Sequence, residues 1–256
     1  GEGSFKVSGR GVLHLAVLIE NMRREGYELT VSRPRVIVKT IEGVRQEPFE
    51  TLVVDTPDAT TGPVIENVGK RQGVMVRMHA AGGRTVMEFH VPTRGLIGLR
   101  TKIVTATSGE AIINHRFLRY APMRDDIPQR LNGVLLSMED GKAATYAIDG
   151  LQDRGYFFVS PGEWCYTGQI VGEHCKDNDL VVNVQRGKKL TNMRASGSDR
   201  KLFVVPAVKL SIEEAIEYIN DDELVEITPE VLRLRKYFLD ENERKRKRDH
   251  DWTQAG

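Results

Sequence analysis

Between residues 45 and 122 the apolar periodicity changes in an order that few folds accommodate. Phe49 to Val54 reads as a strand, and Val64 to Arg71 has helical spacing closed by Gly73. Val74 to His79 and Val86 to Val91 then form a strand pair around Ala81-Gly-Gly-Arg84, where glycine accepts the positive φ of a tight hairpin turn. Leu96 to Thr105 reads as a second helix and Ala111 to Tyr120 as a last strand. The order βαββαβ predicts a split-βαβ, ferredoxin-like domain.

The flanking segments are less complete. Strand-like Phe5-Lys-Val7 is followed by Val12, Leu15, Ala16, Ile19 and Met22 on one helical face, with Gly26 as the C′ glycine. Tyr27 to Val31 and Val36 to Ile41 look extended. One helix with its strands cannot bury its apolar faces unaided, so the N-terminal half of the domain that residues 1–44 belong to is expected to be missing. A first residue of Gly instead of Met agrees with a piece of something longer.

Beyond 123 short strands dominate: Gly133 to Met138, Ala143 to Ile148, Phe157 to Val159, Gln169 to Glu173, Leu180 to Val184 and Leu202 to Val205. Their spacing predicts a small barrel or sandwich. Ser211 with Glu214 three residues on is a capping box ahead of a helix through Ile219. Leu224 to Ile227 and Leu232 to Arg235 flank a turn at Thr228-Pro-Glu. The expected fold class is α+β: partial (1–44) and complete (45–122) ferredoxin-like domains, then a mostly β, barrel-like C-terminal domain (123–256).

The chemistry concentrates in one loop. Gly187-Lys-Lys-Leu-Thr-Asn-Met-Arg-Ala-Ser-Gly197 lies between two apolar strand-like runs, and six cations from Arg186 to Lys201 face one acid, Asp199. Such a segment suits phosphates, although a solvated hairpin has the same pattern. Arg94-Gly-Leu-Ile-Gly-Leu-Arg100 puts cations at both edges of a helix start, where first-turn amides are free for an anion. Gly95 and Gly98 equally suit close helix packing. Arg244-Lys-Arg-Lys-Arg248 adds sequence-independent attraction to a polyanion.

Catalytic sets are missing from the sequence. No GxxxxGK[ST] supplies the nest, lysine and hydroxyl of a P-loop. Asp55-Thr-Pro-Asp58 places a like charge where a γ-phosphate amide would be needed. Gly9-Arg-Gly11 meets His14 at the third glycine position of a dinucleotide fingerprint. His14 and His115 read as packed or hydrogen-bonded, the Asp-Asp pairs at 125/126 and 221/222 as loop and helix-end residues, and Trp164 and Tyr166 as core. Cys165 and Cys175 lack CxxC spacing, which points to structural thiols in a reducing compartment and against zinc. With 40% hydrophobic and 29% charged residues, net charge +1 and no membrane-length apolar run, the chain is expected to be cytoplasmic.

Six ordered motifs carry a resemblance. Val7-Ser-Gly-Arg-Gly-Val-Leu-His-Leu15, Ile19-Glu-Asn-Met-Arg-Arg-Glu-Gly26, Pro92-Thr-Arg-Gly-Leu-Ile-Gly-Leu99, Gly150-Leu-Gln-Asp-Arg-Gly155, the 187–197 loop and Asp221-Asp-Glu-Leu-Val-Glu226 together resemble the C-terminal half of the BipA (TypA) family. These are ribosome-associated translational GTPases related to elongation factor G. The resemblance implies part of domain III at 1–44, domain V at 45–122 and the family-specific domain at 123–256. It implies that GTP and Mg belong to a G domain outside this stretch, which needs no cofactor or metal and has no catalytic residue of its own. It also implies a ribosomal partner, with Lys188, Lys189 and Arg194 on phosphates of 23S rRNA or A-site tRNA. Thr191, Asn192 and Ser196 would donate to sugar or base edges, with Met193 among them and Arg94 and Arg100 as a second contact. A protein-interaction module binding a ribosomal protein or another factor is the alternative, and salt dependence separates the two. A monomer is expected, unless the exposed face of the first helix pairs two copies.

Overall fold

The computed structural model describes residues 3–125, 127, 130–187 and 203–247. The chain divides into two compact units, Pro34–Gln129 and a second made of Gly1–Arg33 with Arg130–Gly256. The elements of the second unit that come first in the chain are α1 (Val12–Arg24) and β1 (Leu29–Ser32).

The Pro34–Gln129 unit runs β2 (Lys39–Ile41), β3 (Val44–Pro57), α2 (Thr61–Gly69), β4 (Val74–Ala81), β5 (Arg84–Pro92), α3 (Thr93–Leu96), α4 (Leu99–Ala106) and β6 (Ile112–Pro122). Its main strands lie in the order β6-β3-β5-β4, all antiparallel, with β2 as a hairpin on the start of β3. This is the expected ferredoxin-like arrangement. Leu52, Val54, Met87, Phe89 and Val91 from the sheet meet Val64, Val68, Leu99 and Ile103 from the helices in one core. Each such side chain contributes on the order of 1.5–3 kcal/mol by leaving water.

The helix expected over 96–105 is two helices. Gly98 at φ 70° turns the chain between α3 and α4, and Gly95 packs so closely that an added Cβ would lie 2.6 Å from the Arg71 carbonyl oxygen. Gly95 is therefore required by packing and Gly98 by its positive φ.

In the other unit follow β7 (Val134–Ser137), β8 (Gly141–Lys142), α5 (Thr145–Leu151), β9 (Gly155–Phe157), β10 (Trp164–Cys165), β11 (Gln169–His174), β12 (Leu180–Val182), α6 (Ile212–Tyr218), β13 (Glu223–Ile227), β14 (Leu232–Lys236) and α7 (Glu241–Arg246). The sheet order is β1-β13-β14-β11-β7-β12, with β9 also on β11. Strand β7 is buried at every position, the mark of a strand covered on both faces. Val134 and Leu136 join one core with α1 and α6, and Leu135 joins another with Ile148, Phe157 and Val171.

This sheet is open, which corrects the barrel-like expectation. Ala143 to Ile148, expected as a strand, contributes to α5, and 203–210 carries no strand. Two of the staves a small barrel would need are thus missing. Short apolar runs do not distinguish helix from strand, and the alanines here favour the helix. Residues 3–9 likewise form no strand. The apolar face of α1 finds its cover elsewhere, with Ala16 and Ile19 clustering with Ile212, Ala215 and Ile216, while β1 pairs with β13. The segment expected as 1–44 is thereby divided at Arg33. The Ser211–Glu214 capping box stands as expected.

Candidate nucleic-acid interface

Lys188, Lys189, Thr191, Asn192, Met193, Arg194 and Ser196 lie outside the described residues. The structure does show how the backbone is held on either side of them. On the entry side, the Gln185 side-chain amide donates to Ser137 Oγ at 2.8 Å and to the Glu139 carbonyl at 2.6 Å. Asn183 donates to the Glu139 carboxylate at 2.6 Å and accepts from the Gln185 amide N–H. On the exit side, Asp149 accepts the Phe203 N–H at 3.1 Å. Gln152 donates to the Phe203 carbonyl and accepts from the Val205 N–H, both at 2.7 Å.

Asp149 projects from α5 and Gln152 from the turn directly after it, so the Gly150–Gly155 motif clamps one end of the basic segment. Gln152 satisfies a donor and an acceptor of a stretch that has no ladder of its own. Gln152, Asp149 and Gln185 escaped the sequence reading, because a neutral amide or a lone Asp has no signature until its backbone partner is known.

The two arginines of the other motif part ways. Arg94 is 13% exposed and forks onto Glu47, itself fully buried, and it also donates to the Arg124 and Asp125 carbonyls. Through its Nε and Nη2 the guanidinium ties the strand carrying Glu47 to the segment after β6. Arg100, in the first turn of α4, is exposed and makes no hydrogen bond or ion pair among the described residues.

The Asp221–Glu226 motif is also accounted for internally. Glu223 is completely buried and receives both guanidinium nitrogens of Arg130, at 2.7 and 2.9 Å, and Lys236 at 2.9 Å. Lys236 also meets Asp222 at 2.8 Å and Asp179 at 2.7 Å. Burial opposes ionisation of Glu223, but Lys236 and Arg130 outweigh it and hold the carboxyl at about 2. Glu226 accepts from Tyr166 and Arg235; Tyr166 is half-buried and outside the hydrophobic clusters, and Trp164, expected in the core, is 55% exposed, which corrects that reading.

Burial pushes the Cys165 thiol up to about 11, so it is a poor nucleophile. His115 is hydrogen-bonded to Glu50 at 2.6 Å. Among the described residues no group of three or more His, Cys, Asp or Glu is placed to hold a metal ion, and no helix is long and apolar enough to cross a membrane.

Two family domains match. Residues 132–241 match the TypA/BipA C-terminal domain and residues 44–131 the elongation factor G C-terminus. The chain is thus similar in sequence to a TypA/BipA C-terminal domain and to an elongation factor G C-terminus. It is 50% identical over 245 residues to the large ribosomal subunit assembly factor BipA of Salmonella typhimurium. The proteins of the same name from Bacillus subtilis and Haemophilus influenzae are each 52% identical, over 245 and 244 residues. These alignments cover 94–95% of the chain but 40% of each relative. The border between the two family domains, at 131/132, falls near the unit boundary at Gln129/Arg130.

Proposed function

We propose that this chain is the ribosome-contacting region of a BipA-type translational GTPase that acts on the large ribosomal subunit. In this reading it grips rRNA, and the acceptor end of an A-site tRNA, through the 187–197 loop. The observation that carries it is the pairing of about 50% identity to BipA assembly factors over 95% of the chain with a six-cation segment whose two stems are pinned to a rigid sheet and helix. Anchored stems lower the entropy lost when a loop is ordered on its target. Lys188, Lys189 and Arg194 supply phosphate contacts, and Thr191, Asn192 and Ser196 supply donors and acceptors for 2′-hydroxyls and unstacked bases. GTP hydrolysis, with its Mg, belongs to the remainder of such a protein, and this region works in the cytoplasm without a cofactor.

Cosedimentation with bacterial large subunits across a salt series tests it. The chain is expected to pellet at low salt and to be released steeply as salt rises, and the K188A/K189A/R194A variant to lose most binding at every salt. Equal pelleting of both proteins would overturn the loop contact. Binding indifferent to salt would point to a protein interface instead.

A further inference from the structure

We propose that the uncovered face of the sheet β6-β3-β5-β4 binds single-stranded RNA. The site lies in the elongation factor G-like unit, apart from the 187–197 loop, and takes from the reading above only its class of ligand.

The helices and the core occupy one face of this sheet. Residues in register point to the same side, so the other face can be read row by row. One row is Asn114, Val53, Glu88 and Arg77; the next is Arg116, Thr51, His90 and Val74; a third is Ile112, Asp55, Val86 and His79. Arg119 opposite Phe49 closes the end. Arg77, His79, Arg116 and Arg119 are exposed.

Among the described residues, the side chains of Arg77, Arg116 and Arg119 make no hydrogen bond or ion pair. The acids on this face are Asp55, already held by Arg84 at 2.8 Å, and Glu88. The acids nearest its end are likewise engaged, Glu47 by Arg94 and Glu50 by His115. The contrast with the other unit, where Arg130 and Lys236 are fully matched by carboxylates, makes these three arginines a surface held open for anions.

Spacing and shape favour a nucleic-acid strand over a compact anion. The cations sit on β4 and β6, which flank β3 and β5, so Arg77 and Arg116, in adjacent rows, are separated by about 14 Å across three strand spacings and by a further two residues along the strand. That distance exceeds the reach of a single phosphate. Beside them a groove of about 360 Å³ is lined by Phe49, Val74, His90, Leu118, Arg119 and Arg124, with the Arg124 guanidinium over the Phe49 ring at 5.4 Å. Histidine rings and arginine planes are stacking partners for unpaired bases, and a flat sheet presents them to splayed bases that a duplex hides.

The test is fluorescence anisotropy of the 256-residue chain with a fluorescein-labelled 12-nucleotide mixed-sequence RNA, as single strand and as duplex, over a potassium chloride series. Each phosphate contact contributes about 0.7 to the slope of log K against log salt for a single strand. The R77A/R116A/R119A variant is therefore expected to lose about two units of slope and about tenfold or more in affinity at low salt, with an unchanged melting temperature. R77K/R116K/R119K should keep the slope. Wild-type affinity and slope in the alanine variant would overturn the proposal, and a simultaneous loss in K188A/K189A/R194A would leave the loop reading standing. A loss confined to the sheet variant would support the proposal and count against the loop. Tighter binding of the duplex, or salt-independent binding, would overturn it.

Discussion

Both units are rich in arginine and lysine, yet they use those residues in opposite ways. In the larger unit Arg130 and Lys236 are buried and converge on Glu223, with Asp222 and Asp179 completing the charge balance. In the smaller unit Arg77, Arg116 and Arg119 lie on an open sheet face with one unengaged acid, Glu88, among them. A buried cation demands a carboxylate because desolvating an isolated charge is prohibitive; an exposed one is hydrated and remains available. The lesson is that cations in a sequence report binding only after the structure has claimed those it needs for itself.

The largest effect follows from the buried cluster. Glu223→Gln leaves Arg130 without its counter-ion, and removing one partner of a buried pair costs about 3–5 kcal/mol. Urea unfolding should register that loss, whereas Arg116→Ala should stay within about 0.5 kcal/mol, as for an unpaired surface residue. Equal losses in the two variants would break the comparison. The pH dependence has a definite sign. The folded-state pKa of Glu223 is depressed to about 2, so its contribution is present above the ordinary carboxyl range and is lost as pH falls through that range toward 2. In the Gln variant the acid limb of the stability profile should flatten.

Arg94 sharpens the comparison, because it is a claimed cation in the same unit as Arg77, Arg116 and Arg119. Its fork onto buried Glu47 predicts that Arg94→Met costs about 2–4 kcal/mol, by stranding a buried carboxylate. Arg100→Met, six residues on, should leave stability almost unchanged. A thermal melt of each variant decides the matter, and a stable Arg94→Met protein would show that the fork contributes little.

What the sequence made legible divides along the same line. The βαββαβ order was readable because the four main strands of 45–122 are eight residues or longer, and its hairpin sits on Gly82 and Gly83 at φ 62° and 79°. The open sheet of the larger unit was not, since β8, β9, β10 and β12 are two or three residues long and periodicity needs more than that to register. Pairing of β1 with β13 joins residues 29–32 to 224–227, and no local pattern announces a contact of that separation. Charge was legible in number and not in fate: Arg94 and Arg100 look alike in the sequence, and Glu47 with the Arg124 and Asp125 carbonyls separates them. The capping box was readable because both of its partners lie within four residues.

The smallest effect concerns His115, an ion pair at the margin between the two kinds of site. It is hydrogen-bonded to Glu50, with a side chain 55% exposed. That hydrogen bond raises its pKa first, partial burial and Arg100 pull it down, and the net direction is upward. Its stabilisation is therefore complete below the unfolded-state value of about 6.5 and is lost as pH rises through the higher folded-state value. Nuclear magnetic resonance titration of the ring should show a midpoint above 6.5 that falls on Glu50→Gln, and the same substitution should destabilise the unit more at pH 5.5 than at pH 8.5. A midpoint that ignores Glu50 would show that the Glu50 hydrogen bond does not hold the ring proton.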